Sequence, residues 1–154
     1  MSQRGTIVAI NTSPAKGTRK TNVGKSRLVP GFGIEADGHA GDWHRQVSLL
    51  AMESVEKMVR MGLKVGPGDF AENITTRGLD LLSLPIGTRF RMGPQALLEV
   101  TQIGKECHTR CAIFYQAGDC VMPKEGIFAR VLKGGEIQVG DEILVLGGDP
   151  DDQR

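Results

Sequence analysis

The stretch "GKECHTRC", residues 104–111, sets two cysteines, a histidine, a lysine and an arginine within eight residues, and a third cysteine follows in "GDCVMP". The 154-residue chain holds only three cysteines and three histidines, so this concentration asks for a chemical reason. Metal ligation, a disulfide and a nucleophilic thiol all use such residues. Cys107, His108, Cys111 and Cys120 offer zinc the right donor atoms, and His39 or His44 could complete a set. Structural zinc, however, usually takes two close ligand pairs, and one pair is visible. A reactive thiol is the second possibility. Lys105 and His108 flank Cys107, and Arg110 precedes Cys111; cationic neighbours of this kind lower a thiol pKa and expose the nucleophilic thiolate. On a strand His108 would face away from Cys107, so the histidine is a weak candidate for its base.

Other polar groups widen the candidate site. Lys16, Arg19, Lys20, Lys25 and Arg27 follow one another with no acidic residue between them, and Gly17 and Gly24 mark the segment as a loop suited to an anionic ligand. "EADGHAGDWHRQ" carries His39, His44 and Arg45. Glu72 and Asn73 sit among apolar residues in "DFAENITT", and Arg130 sits in the similarly apolar "GIFARVL". With a thiol added, these residues would make a pocket with cationic walls.

The elements that must position them are short. Twenty-one glycines and seven prolines interrupt the chain, and "GTIVAI", "QVSLLA", "IGTRFRMG", "ALLEVTQIG" and "VGDEILVL" read as strands of a barrel or sandwich. One helix stands out. Met52, Val55, Met58 and Val59 recur at helical spacing, Glu53 precedes Lys57 by four, and Gly62 is placed to end the helix. One domain over residues 1–148 is expected, followed by a frayed acidic tail at 149–154.

A net charge of +1, with 40% hydrophobic and 24% charged residues, argues against a strongly basic nucleic-acid binder and against a disordered chain. No apolar run reaches the roughly 20 residues of a membrane-spanning helix, and "MSQRGTIVAI" lacks a secretory pattern. A cytoplasmic location is therefore expected, and its reducing conditions disfavour a disulfide among three cysteines.

The order of the blocks adds a further expectation. "DGHAGDWHRQVSLL", "GDFAENITTRGLDLLSLPIGTRFRMG", "LLEVTQIGKECHTRC" and "GDCVMPKEGIFARVLKGGEIQVGDEILVL" together resemble the MOSC family, named after the C-terminal domain of molybdenum cofactor sulfurase. The resemblance runs from about residue 5 to residue 146. It implies a mainly β, barrel-like domain with a few short helices. It also implies a cysteine that carries sulfur as a persulfide, or that ligates the molybdenum of the molybdopterin cofactor. "VTQIGKEC" aligns with the family's cysteine block and favours Cys107, whereas the "RC" dipeptide favours Cys111. Cys107, Cys111 and Cys120 could also act together, one holding sulfur and another resolving it. Lys16, Arg19, Lys20, Arg45 and Arg130 become candidate anchors for the pterin phosphate, with His39, His44 and His108 nearby in sequence and Glu72 and Asn73 as candidates for the pterin edge.

The sulfurase carries a fused pyridoxal-phosphate desulfurase module, which this chain lacks, so no pyridoxal phosphate site is expected here. The implied partners are a molybdoenzyme or a cofactor-biosynthesis protein, or a separate cysteine desulfurase. Neither nucleic acid nor membrane is among them. A zinc or redox module, or a pure docking module, stands as the alternative. Stand-alone hydrolysis or reduction has no support in the residues.

Overall fold

The structure, a computed structural model, describes residues 3–13, 20–35, 37, 41, 46–62, 64–70, 72–104 and 126–147. The described elements are β1 (Arg4–Thr12), β2 (Thr21–Asn22), β3 (Lys25–Val29), β4 (Gly33–Ile34), β5 (Val47–Ala51), α1 (Met52–Arg60), β6 (Ile74–Arg77), a 3-10 turn at Leu81–Ser83, β7 (Arg89–Met92), β8 (Ala96–Ile103), β9 (Ile127–Lys133), β10 (Gly135–Gln138) and β11 (Glu142–Gly147).

Alternation decides which side chains face inward. In β5 the residues Val47, Leu49 and Ala51 join one apolar cluster while Leu50 joins another, as a two-residue period requires of a strand covered on both faces. The strands run in the order β11-β7-β8-β9-β5-β6-β1, and β11 pairs with β1, closing the sheet into a barrel. Every barrel pairing is antiparallel except β5 with β6. That parallel pair needs a crossover, and α1 with the connection after it supplies one. The expected barrel is thus observed, and closure removes the exposed strand edges that an open sheet would carry.

The barrel interior is filled by aliphatic residues with Phe90 and Met92, all nearly free of solvent contact. A smaller sheet in the order β10-β3-β4 contributes Leu28, Ile34 and Ile137 to the same core, and Leu79, Leu81 and Leu84 join it from the segment after β6. Outside the wall, Leu50 and Phe128 pack under Val55 and Met58 of α1 and under Phe70. The helix ends as its spacing predicts, with Gly62 at φ 99° just beyond the last turn, a conformation glycine adopts without strain.

The basic segment differs from its expectation. Gly24 turns at φ 78°, and beyond it Lys25 and Arg27 lie on β3 rather than in a loop, pairing across the small sheet with Glu136. The reason is tertiary: β10 supplies the antiparallel partner that local sequence does not reveal. No helix among the described residues is long and apolar enough to cross a membrane.

Candidate functional site

The strongest concentration of buried polar chemistry lies on the outer face of the barrel, where β5, β6 and β1 run side by side. Ser48, Asn73 and Asn11 each adjoin an inward-facing residue, Leu49, Ile74 and Ile10, so strand alternation turns them outward. They are nevertheless buried, with Asn73 and Asn11 both at 0% exposure.

Asn73 is the hub. Its side-chain oxygen accepts from the backbone N–H of Ser48 at 3.0 Å and from the Ser48 hydroxyl at 3.2 Å. Its amide nitrogen donates to the Asn11 carbonyl at 3.2 Å and to Asp37 Oδ2 at 3.1 Å. All four hydrogen-bonding positions of the amide are therefore filled by the protein. The other Asp37 oxygen, Oδ1, accepts from Lys20 Nζ at 2.7 Å and from the backbone N–H of Ser13 at 3.1 Å. The Lys20 ammonium also donates to the Ser13 hydroxyl at 3.4 Å.

A second branch runs from Asn11 to Glu72. The Asn11 amide donates to the Thr75 hydroxyl at 3.0 Å, and that hydroxyl donates to Glu72 Oε2 at 2.7 Å. Glu72 has 0% exposure, and burial raises its pKa above the ordinary glutamate value; the Thr75 hydroxyl and the backbone N–H groups of Gly68, Glu72 and Phe70 pull partly the other way. Among the described residues, Glu72 Oε1 and Asn11 Oδ1 have no hydrogen-bond partner. Gly68 closes this branch. At φ 89° its carbonyl accepts from the Lys20 N–H, and a side chain there would meet the Lys20 carbonyl.

Of the residues singled out from sequence, Lys20, Glu72 and Asn73 thus converge in one network. Arg130 is half exposed on β9 and is engaged there by Glu99, with Nε and Nη2 at 3.0 and 2.7 Å from the same carboxylate oxygen. Lys16, Arg19, His39, His44, Arg45, Cys107, His108, Cys111 and Cys120 lie outside the described residues. Among the described residues, no three His, Cys, Asp or Glu side chains converge as a metal-ligand set.

Sequence reasoning missed Asp37, Ser13 and Ser48. Apart from the Ser13–Lys20 contact, seven residues apart, their partners stand 17 to 36 residues away, so no local pattern could have signalled them.

What the network holds is defined by its position in the chain. Ser13 and Lys20 bracket residues 14–19 and both bond Asp37, which adjoins residues 38–40. The cysteine-bearing stretch, 105–125, starts and ends at a neck where the Gly104 N–H donates to the Gly126 carbonyl at 2.7 Å. In register, Ile103, Ile127, Leu49, Ile74 and Ile10 form one row across β8, β9, β5, β6 and β1. The neck lies on one side of that row, and Asn73 and Asn11 lie on the other.

A closed, mixed β-barrel with, among the described residues, one crossover helix and buried polar residues on its outer wall defines the class of this domain. The MOSC domain model matches residues 36–144, and the chain belongs to that family. YuaD of Bacillus subtilis superposes with a TM-score of 0.77 at 21% identity, covering 94% of this chain and 97% of the other. YiiM of Geobacillus stearothermophilus gives 0.69 at 25% identity, covering 92% and 74%, and YiiM of Escherichia coli gives 0.62 at 22%, covering 94% and 69%. A comparison with curated proteins finds no match.

Proposed function

We propose that this MOSC domain binds the molybdenum cofactor, or carries sulfur for it, through a cysteine thiolate of residues 105–125. Cys107 is the preferred thiolate, with Cys111 and Cys120 as its alternatives or resolving partners. The observation that carries the reading is the tether at Asp37. One carboxylate gathers Ser13, Lys20 and Asn73, and so anchors both ends of the basic 14–19 segment beside the beginning of the segment with His39, His44 and Arg45.

The donor set fits the group in part. The cofactor brings a phosphate and soft sulfur atoms, and Lys16, Arg19 and Arg45 are suited to the former and a cysteine thiolate to the latter's metal. Lys20 and Asn73 fit a different task, since their hydrogen bonds are spent inside the protein; they set the frame from which the cationic and histidine-bearing segments depart. When bound, the group would supply a metal centre with affinity for thiolate sulfur.

The test is intact-mass measurement of protein purified without reductant, beside Cys107→Ser, Cys111→Ser and Cys120→Ser, after supply of a persulfide donor. A reductant-labile gain of about 32 Da lost in one variant identifies the carrier thiol. Retention of molybdenum and pterin that depends on the same cysteine selects cofactor binding, and zinc at about one per chain without pterin selects the metal-module reading.

A further inference from the structure

Around Glu72 and Asn11 the donors and acceptors do not balance. The Asn11 amide donates to the Thr75 hydroxyl at 3.0 Å, and that hydroxyl spends its one hydrogen on Glu72 Oε2 at 2.7 Å. Glu72 Oε1 and Asn11 Oδ1 are left over. Both are buried acceptors, and among the described residues neither has a donor. Leaving both bare would incur the desolvation penalty of a buried polar atom twice.

The two oxygens belong to groups held side by side. Both groups bond the same hydroxyl, and both lie against Gly68: its N–H approaches the Glu72 carboxyl, and Asn11 Cγ is 3.4 Å from the place a Gly68 Cβ would take. Neither oxygen has room beside it for a water molecule, so solvent cannot be the missing donor. Turning the Asn11 amide over does not restore the balance. Its nitrogen would then serve Glu72, but its oxygen and Glu72 Oε2 would compete for the single Thr75 hydrogen. A proton on Oε1 does restore it. The amide then donates to the hydroxyl, the hydroxyl to Oε2 and the acid to Oδ1, a ring in which each donor has its own acceptor.

We infer that Glu72 is held as a neutral carboxylic acid that donates to Asn11 Oδ1, and that this shared proton latches the Gly68 turn against Lys20. The charged groups of the neighbouring elements are engaged elsewhere: Lys20 with Asp37, Asp69 with the Gly66 N–H at 2.8 Å, and Arg77 with Glu56. The Gly68 carbonyl accepts from the Lys20 N–H at 2.8 Å, so the acid, the turn and the end of the basic 14–19 segment are bonded in series. Loss of the proton to solvent sets a buried anion against the Asn11 oxygen, and relief requires the turn to part from its neighbours. The segment with Lys16 and Arg19 is then loosened at its Lys20 end. The bearing of this on cofactor binding rests on the function proposed above; the latch itself does not.

The test is infrared spectroscopy and amide exchange on the full, ligand-free chain across pH. Two variants accompany it: Glu72→Gln keeps a donor toward Asn11 without the titration, and Asn11→Ala removes the acceptor. At about pH 6, where ordinary carboxyls are ionised, the native chain should show an acid carbonyl band that Glu72→Gln lacks. Asn11→Ala should move that band to higher frequency, as expected when an acid loses its acceptor. As pH rises and a carboxylate band replaces the acid band, exchange at the Lys20 amide should accelerate at least about tenfold more than in Glu72→Gln. Should Asn11→Ala fail to fold, the native titration against Glu72→Gln decides alone. Absence of the acid band, a band indifferent to Asn11→Ala in a folded variant, or Lys20 exchange that follows Glu72→Gln at every pH would each overturn the proposal. Every readout is taken without cofactor or sulfur donor, so failure of the proposed function leaves the result standing.

Discussion

Lys20 Nζ lies 2.7 Å from Asp37 Oδ1, and the two side chains are 3% and 0% exposed. Both charges have left water, and each depends on the other for its compensation. Removing one partner leaves a buried unpaired charge, which costs about 3–5 kcal/mol, whereas replacing both by apolar residues can come near neutral. Denaturant melts should therefore show Lys20→Met and Asp37→Asn as strongly destabilised, and Lys20→Met with Asp37→Leu as much less so than the sum. Because Asp37 also accepts from Asn73 and Ser13, the double variant should retain a residual deficit.

Glu72 gives a pH dependence with a definite sign. Its pKa is raised in the folded chain by burial, so its contribution is fully present below the unfolded value of 4.5 and is lost as pH rises through the folded value. Measured against Glu72→Gln, the native chain should lose relative stability as pH rises from about 4.5 toward 8, with the variant favoured at the alkaline end. Two parallel stability curves would show that the carboxyl does not titrate in this window.

Gly68 should not tolerate a side chain. Its φ of 89° lies in the left-handed region, and an added Cβ would run into the Lys20 carbonyl, which is backbone and cannot swing away. Gly68→Ala should lower stability by more than the roughly 1 kcal/mol typical of a left-handed position alone. The loss should be accompanied by faster amide exchange at Lys20, whose N–H donates to the Gly68 carbonyl at 2.8 Å.

Phe128 tests the outer apolar cluster separately from the barrel interior. It is 1% exposed, and it packs with Leu50, Val55, Met58 and Phe70. Phe128→Ala should cost about 3–5 kcal/mol through lost burial and a residual cavity. Since α1 is seated on this cluster, helical circular dichroism should fall at lower denaturant in the variant than in the native chain.

Much of the architecture was legible because it rests on local signals. The alternation in "ALLEVTQI" and "EILVL" marks β8 and β11, and the spacing of Val55 and Met58 with Gly62 behind them marks α1 and its end. The basic run up to Arg27 carries the marks of a loop, and the strand at Lys25–Val29 is not legible in it because its stability comes from β10, more than 100 residues away. Glu72 and Asn73 were legible as candidates because two adjacent polar residues among apolar ones are conspicuous. The bonds of Asn73 were not, since Ser48 and Asn11 reach it through the pairing of β5, β6 and β1 and Asp37 reaches it from the segment after β4, whereas the Thr75 hydroxyl that meets Glu72 is only three residues on. Arg130, a candidate phosphate anchor set in an apolar run, is turned by strand alternation to the surface, where Glu99 meets it.

The pairing of Arg4, Gly5 and Thr6 with Leu144, Ile143 and Glu142 has a consequence for how the chain is made. The first barrel strand to leave the ribosome has one of its two neighbours in the last. Until β11 is synthesised, β1 and β7 each present an unpaired edge, and these are the edges on which strands of other chains can add. Ribosomal stalling or proteolysis before residue 142 would thus release an open sheet instead of a slightly shorter barrel, and such fragments should aggregate rather than persist.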